Sequence, residues 1–379
     1  MGRTLHDIAD IVRLNRLDLE TAQPLSPEQG RALSAITLCR TAALGGHQGV
    51  CLECDLKEDP SYNSCRNRNC PKCQALAQER WIATRAQAIL PVPHFHGVFT
   101  LPADFRALAR QYPRAIYDAL FRCVAATLLD LARKRLGIIP GLTLVLHTWT
   151  RELFLHPHIH VLISAGGLTL DGSQFKRIKE KFFLHVTPLA KRFKSKMMKA
   201  LRRLRGKGVL EMTDSAFDSL MASLAEQDWN VYLKKAFRSS AFVLKYLGRY
   251  THRVGISNSR LLEVTKDQVT FRTKDGRKVS LRPVAFLQRF VQHILPNKLK
   301  KIRHAGLYAS PKALAKAKAI LGTVEPAPAQ PTWQEALLAL TGVDPTRCQA
   351  CGAPLCHTVI LPVRIIPRRT RAHPTENPP

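Results

Sequence analysis

Acidic residues are scarce. The chain of 379 residues carries 28 Asp and Glu against 58 Lys and Arg, a formal net charge of +30. No Asp/Glu cluster stands out, which argues against an active site built on a carboxylate triad. A basic excess of this size points to polyanionic partners: nucleic acid first, an anionic membrane surface second. Long apolar runs are also missing. No stretch of about 18 uncharged apolar residues occurs, so no membrane-spanning helix is expected. The opening MGRTLHDIADIVRLNRL mixes charges and lacks the apolar core of a secretory signal. There is no internal repeat. With 45% hydrophobic residues, the chain should bury the cores of two or three domains.

Cysteine, by contrast, is present and unevenly spread. Seven of the ten cysteines precede residue 124. Their Cys-x-x-Cys spacing suits a metal better than disulfides and fits a reducing cytoplasm. Cys51-x-x-Cys54 and Cys70-x-x-Cys73, with 15 residues between them, are expected to close one tetrahedral zinc site. Cys39, His47 and Cys65 are left over, to complete a second site or to help shape the first. Four thiolates leave no open position for a substrate, so such a zinc is structural. Arg66, Arg68 and Lys72 lie among the ligands, where they could meet phosphates. Near the end, Cys348-x-x-Cys351 with Cys356 and His357 is a weaker candidate for a small metal site.

The patterning mixes helices with consecutive strands. Residues 1–38 read as helical, with Ser26 as N-cap and Pro27 at the first helical position. A helix over 75–90 follows the cysteine-rich stretch, then a strand over 94–101 and a helical segment over 104–136. GLTLVLHTWT and LFLHPHIHVLIS read as two strands of an antiparallel hairpin turning near Arg151 and Glu152. A helix over 187–205, with Thr187 as cap, Pro188 at N1 and Gly206 beyond its end, has the stripe Leu189, Phe193, Met197, Leu201 and Leu204. Another helix is expected over 239–252. Strands follow at 260–265, 268–273 and 277–281, the last two joined at an Asp-Gly turn, then a helix over 284–294. EPAPAQPT reads as a linker, and the basic, Pro-rich tail as disordered.

Two short stretches carry chemistry. In FLHPHIHVLISAGG, His158 and His160 are two apart on a strand and share a face, with Ile159 on the other. Two such imidazoles can bind one divalent ion. His147, on the preceding strand, falls opposite His158 or close by and is the first choice as third ligand, with His156 and Glu152 as alternatives. His94-Phe95-His96 has the same local look without the glycines or the paired strand, and reads as a half-buried strand start. In KYLGRYTHRV, Tyr246 and Tyr250 are four apart, on one helix face. A phenol attacks only a strongly polarised centre, such as a phosphodiester bound to a metal ion. On spacing alone, aromatic packing on an amphipathic helix is the better explanation of the pair.

Taken together, LCRTAALGGH, YNSCRNRNCPKCQ, HFHGVFTLP, LHTWT, HPHIHVLISAGGL, YLGRYTHRVGISN and RFVQHILPNKLKKIRHAGL make residues 10–310 resemble the rolling-circle transposases of the insertion sequence 91 family. These are HUH (His-hydrophobic-His) nucleases. The resemblance implies an α+β fold: an antiparallel-sheet HUH endonuclease domain flanked by helices, preceded by a small zinc-ribbon-like domain. It implies a helical and zinc-binding region over 1–90, a catalytic domain over 91–310, and a linker and basic tail over 311–379. It implies His158 and His160 as ligands of Mg²⁺ or Mn²⁺, and Tyr246 and Tyr250 as nucleophiles that capture a 5′ phosphate of single-stranded DNA. The setting would be a bacterial cytoplasm, on the nucleoid, with transposon ends and target as partners.

The basic stretch then has a use. Thirteen Lys or Arg and one acid, Glu180, lie between Lys176 and Lys207. Lys191, Arg192, Lys194, Lys199, Arg202 and Arg203 on the helix, with Arg249, Arg253 and Arg303, are the expected phosphate contacts. A plasmid replication initiator or relaxase would share this chemistry. A histidine-triad nucleotide hydrolase also fits His-x-His-x-His, but leaves the cysteines, the charge and the tyrosines unexplained.

Overall fold

The structure is a computed structural model that describes residues 6–178, 183–237, 255–322 and 332–363. Five strands form its central antiparallel sheet, in the order Ile302–Gly306 (β11), Ile138–Trp149 (β4), Leu155–Thr169 (β5), His94–Thr100 (β3) and Val231–Phe237 (β7). The short strand Phe175–Arg177 (β6) pairs with the far end of β5. β4 and β5 are the expected hairpin. The chain reverses between Thr150 and Phe154, with Leu153 in the left-handed region at φ 65°. Gly166 and Gly167 answer for the close approach at the other end. A Cβ on Gly166 would strike the Phe175 ring and the Lys176 carbonyl, and one on Gly167 the backbone of Ile139.

The sheet has two different faces. Phe95 and Phe99 of β3, Leu144 and Leu146 of β4 and Ile159, Val161 and Ile163 of β5 enter the main core. That core is closed by the helices Pro113–Leu136 (α5) and Val186–Gly206 (α6). The expected helix over 104–136 is two helices, Phe105–Gln111 (α4) and α5, parted at Tyr112. Pro113 lacks the N–H that would continue the first helix and has the φ that starts the second. α6 buries Leu189, Phe193, Met197 and Leu201, and Phe193 sits edge-on to Phe99 and Trp229 at 5.3 Å. It starts one residue before Thr187, with His185 as an N-cap that makes no side-chain hydrogen bond, and Gly206 is its last residue. The helix Asp214–Glu226 (α7) and strands β6, β7 and β11 were not legible in the periodicity.

A second core joins distant parts of the chain. Helices Ile8–Ala22 (α1) and Pro27–Leu38 (α2), the latter opened by a Ser26/Gln29 capping box, contribute Ile8, Ile11, Leu33 and Ile36. Against them pack Phe271 of the expected three-stranded sheet, Leu261–Val264 (β8), Val269–Arg272 (β9) and Lys278–Leu281 (β10), and Phe286 and Phe290 of the helix Pro283–Val291 (α8). A third sheet combines Gly46–Cys51 (β1) and Ser61–Tyr62 (β2) with Leu355–Ile360 (β12) from the other end of the sequence. The helices Gln74–Ala88 (α3), Pro311–Ile320 (α9) and Trp333–Thr341 (α10) complete the described α-helices. A mixed helix and antiparallel-sheet fold with a cysteine cluster in its N-terminal region is the class expected. No helix among the described residues is long and apolar enough to cross a membrane. The helix expected over 239–252 lies outside the described residues, as do the stretch EPAPAQPT apart from Thr332 and the basic tail from Arg364 onward.

Candidate metal centres and catalytic site

The face of the sheet turned away from α5 and α6 carries histidines. Period-two alternation sends His158 and His160 there, and the hairpin register puts His147 directly opposite His158. Ring centroids are 5.4 Å apart for His147 and His158, 4.5 Å for His147 and His160, and 5.0 Å for His158 and His160. One nitrogen of each ring lies within 4.8 Å of the other two. His147 is buried, whereas His158 and His160 keep part of their surface open to solvent. Desolvation still pushes His158 down to about 4 and His160 well below its ordinary value. All-neutral imidazoles are the form that ligates a metal.

Neighbours orient the rings. The Nδ1 of His158 donates to the carbonyl of His156 at 2.7 Å, which turns its Nε2 outward. The Nδ1 of His160 meets the Nε2 of His96 at 3.0 Å, with the rings stacked 12° from parallel. His96, read from the sequence as half-buried strand packing, is thus part of the site. β3 pairs with β5 in a register that sets His96 beside Leu162, on the same face as His160. Its signal was the second His-x-His, which needed the β3–β5 pairing to be read. Trp149 stacks on His147 at 4.6 Å, and Lys301 lies over the Trp149 ring at 4.9 Å. Desolvation lowers Lys301 to about 7. Lys274 and Lys301 also act electrostatically on His160, and Lys234 on His96, so lysine charge bears on the cluster. Of the alternative ligands, Glu152 is ion-paired with Arg277 at 3.1 Å, and His156, with its ring 5.7 Å from that of His158, is not one of the three that converge.

Tyr246 and Tyr250, with Arg249 and Arg253, lie outside the described residues. The ends of the segment that carries them are described. β7 finishes with Phe237 paired to His94 of β3. The chain resumes at Gly255, against Leu153 and His293, and His293 lies 5.8 Å from the Trp149 ring. Both ends therefore flank the histidine face.

The cysteines group differently from the sequence expectation. Cys70 and Cys73 join Cys39 and Cys65, not Cys51 and Cys54, with all four sulfurs within 4.8 Å of one another. The sulfurs of Cys65 and Cys73 are 3.8 Å apart, and the Cys65 N–H donates to the Cys39 sulfur at 3.4 Å. Contact with the neighbouring thiols, that of Cys65 first, pulls Cys39 down, while contact with Cys39 pushes Cys70 up. Four sulfurs gathered this closely fit a cation that takes all of them as thiolates. Cys51 and Cys54 lie instead against Cys348 and Cys351. The spacing identified the knuckles, but which knuckles meet is set by the pairing of β1 with β12. His47 is exposed on β1, and Cys356 and His357 are exposed on β12; none belongs to either group.

The basic helix is on the other side of the molecule from the histidines. Because Phe193 packs on Phe99, α6 covers the apolar face of the sheet. Lys191, Lys199, Arg202 and Arg203 are exposed. Arg192 is ion-paired with Asp130 at 3.4 Å, and Lys194 donates to the Gln227 carbonyl at 2.9 Å. Arg303 is ion-paired with Asp118 and stacks over Phe121 at 4.2 Å, which ties it to α5.

Clustered cysteines and a strongly basic surface define a zinc-binding protein directed at nucleic acid. Comparison with known proteins makes the class specific. Residues 141–315 match the family model described as "Putative transposase", and residues 11–101 the "Transposase zinc-binding domain". The chain is 37% identical to "Putative transposase y4qJ" of Sinorhizobium fredii (strain NBRC 101917 / NGR234), over 93% of this chain and 94% of the relative. It is 30% identical to "Transposase for insertion sequence element IS801" of Pseudomonas savastanoi pv. phaseolicola, over 79% of this chain and 75% of the relative. No solved structure matches. The chain belongs to the transposase family of IS91/IS801 type, and with it to the enzymes that bind and cleave DNA.

Proposed function

We propose that the protein transposes by a rolling-circle route, nicking and rejoining single-stranded DNA through a 5′-phosphotyrosine intermediate. The observation that carries this reading is the convergence of His147, His158 and His160 on one partly open face of the sheet. These three side chains would hold a Mg²⁺ or Mn²⁺ ion, with coordination by His158 and His160 through Nε2. When bound, the ion supplies Lewis-acid polarisation of a non-bridging phosphate oxygen. Imidazole donors suit Mn²⁺ better than Mg²⁺.

The chain's own groups do the rest. Lys234, Lys274 and Lys301 draw the phosphodiester to the histidine face. The phenol oxygen of Tyr246 or Tyr250 attacks phosphorus, the bond from phosphorus to the 3′ oxygen breaks, and the phenol proton leaves to solvent while the 3′ oxygen is protonated to a hydroxyl. Bond energy is retained in the ester, so the reverse attack by a 3′ hydroxyl rejoins a strand. Two tyrosines allow two ends to be handled in turn. Support for their position comes from Phe237 and Gly255, which bound the tyrosine segment on either side of the site. The exposed bases of α6, across the sheet, would hold flanking DNA rather than the scissile phosphate. In this reading residues 1–90 form the helical and zinc-binding region, 91–310 the catalytic domain and 311–379 the Pro-rich linker and basic tail with a small Cys/His site, and the protein works on the bacterial nucleoid.

The test is incubation of the purified protein with single-stranded terminal DNA and Mn²⁺, followed by denaturing gels and peptide mapping. Wild type should form an adduct on Tyr246 or Tyr250, each Tyr→Phe variant should lose part of it, and Tyr246→Phe/Tyr250→Phe all of it. An adduct persisting in the double variant, or one on histidine, sinks the reading.

A further inference from the structure

The match to the transposase zinc-binding domain ends at residue 101. Yet Cys51 and Cys54, inside it, have their sulfur neighbours 300 and 294 positions away. The Cys51 sulfur is 3.5 Å from that of Cys351, and the Cys54 sulfur 3.7 Å from that of Cys348. All four lie within 4.8 Å of one another. Sulfurs at about 2.3 Å from a tetrahedral zinc are roughly 3.8 Å apart along each edge. We propose that Cys51, Cys54, Cys348 and Cys351 bind a second structural zinc ion, which joins the two ends of the chain into one zinc ribbon.

The backbone around the two pairs makes the case beyond distance. In the first knuckle the Cys51 N–H donates to the Leu56 carbonyl at 2.9 Å, Val50 and Lys57 form a bridge, and Asp55 has φ 55°. In the second, the Cys348 N–H donates to the Ala353 carbonyl at 2.8 Å, Arg347 and Pro354 form a bridge, and Gly352 has φ 76°. Counted from the first cysteine, each feature falls at the same offset in both. These are two copies of one metal knuckle, and each offers two thiols in a fixed arrangement. A left-handed Asp55 is strained relative to glycine, and a bound metal gives that turn a reason to persist. The strands agree. β1 runs into the first knuckle and β12 out of the second, and they pair antiparallel from Gly46 opposite Ile360 to Cys51 opposite Leu355.

The consequence concerns the whole protein. The chain beyond the Pro-rich stretch is not an appendage: half of this metal site, and one strand of its sheet, come from it. Removing the last 35 or so residues would strip two ligands from the N-terminal region, and the histidine sheet lies in the sequence between the two halves of the ribbon.

The test is metal content of the reduced, full-length protein by mass spectrometry of zinc, with His158→Ala in every sample so that the histidine cluster takes none. Two zinc ions per chain are expected, falling to one in Cys348→Ser/Cys351→Ser and staying at two in Cys351→His, which keeps a zinc ligand. Cobalt substitution gives a readout that does not depend on activity: the thiolate-to-cobalt absorption should fall by half in the double serine variant. Zinc content unchanged by Cys348→Ser/Cys351→Ser overturns the proposal. So does a non-reducing peptide map of the freshly purified protein that links Cys54 to Cys348, because the pair would then be a disulfide. If the serine variant unfolds, the protein with its cysteines intact decides: two zinc ions per chain support the site, and a single one argues against it.

Discussion

His96→Leu keeps a buried side chain of similar volume on β3 and removes the contact between His96 Nε2 and His160 Nδ1 at 3.0 Å. The structure allows the cost to be worked in two ways. Losing the partner of a buried polar group costs about 1–3 kcal/mol. Losing the group that orients a metal-ligating histidine typically costs 10–100-fold in metal affinity, about 1.4–2.8 kcal/mol. The two agree, so Mn²⁺ should bind His96→Leu about 10–100-fold more weakly. Calorimetric titration of Mn²⁺ into the purified protein measures this directly. Nicking of single-stranded DNA should recover at high Mn²⁺, while DNA affinity in the absence of metal stays at the wild-type level. The reasoning fails if a folded His96→Leu protein binds Mn²⁺ within about threefold of wild type, or if its lost activity cannot be restored by added metal.

Acid should unfold the protein early. Burial lowers His94 and His293 to about 4, below the value near 6.5 of an unfolded histidine. A folded-state pKa below the unfolded one gives stability that is complete above about 6.5 and is lost as pH falls toward 4, about 2 kcal/mol per residue by pH 5. Urea midpoints at pH 7 and pH 5 should show this loss, and it should shrink in His293→Gln; an unchanged acid slope would count against neutral buried imidazoles. Phe193→Ala should cost about 3–5 kcal/mol by opening a cavity between Phe99 and Trp229, read from the same urea curves, whereas Arg202→Gln, on the exposed side of α6, should change stability by less than about 0.5 kcal/mol. In Lys199→Gln/Arg202→Gln/Arg203→Gln, single-stranded DNA should bind more weakly and the slope of log affinity against log salt should fall by about 0.7 for each phosphate no longer neutralised. An unchanged slope would remove α6 from the DNA-binding surface.

What could be read from the sequence alone was local. Alternation with period two set His158 and His160 on one face, and the short turn after Trp149 set His147 opposite them, because a tight hairpin leaves little choice of register. Two cysteines three apart announce a metal knuckle from their own turn, and the apolar stripe of α6 announces a helix with one buried side. Tertiary structure decided whatever depends on contacts distant in sequence. His96 reaches His160 across 64 positions because β3 pairs with β5. Cys51 and Cys54 pair with Cys348 and Cys351 because β1 pairs with β12, and a spacing rule that looks only a few residues ahead matches each knuckle to the wrong partner. Charge count marked α6 as a basic helix, but only the packing of Phe193 on Phe99 put it behind the sheet, away from the histidines. The physical reason is the same each time. Dihedral preferences and turn geometry act over a few residues, whereas strand pairing and the burial of an apolar face depend on which distant segments share a core.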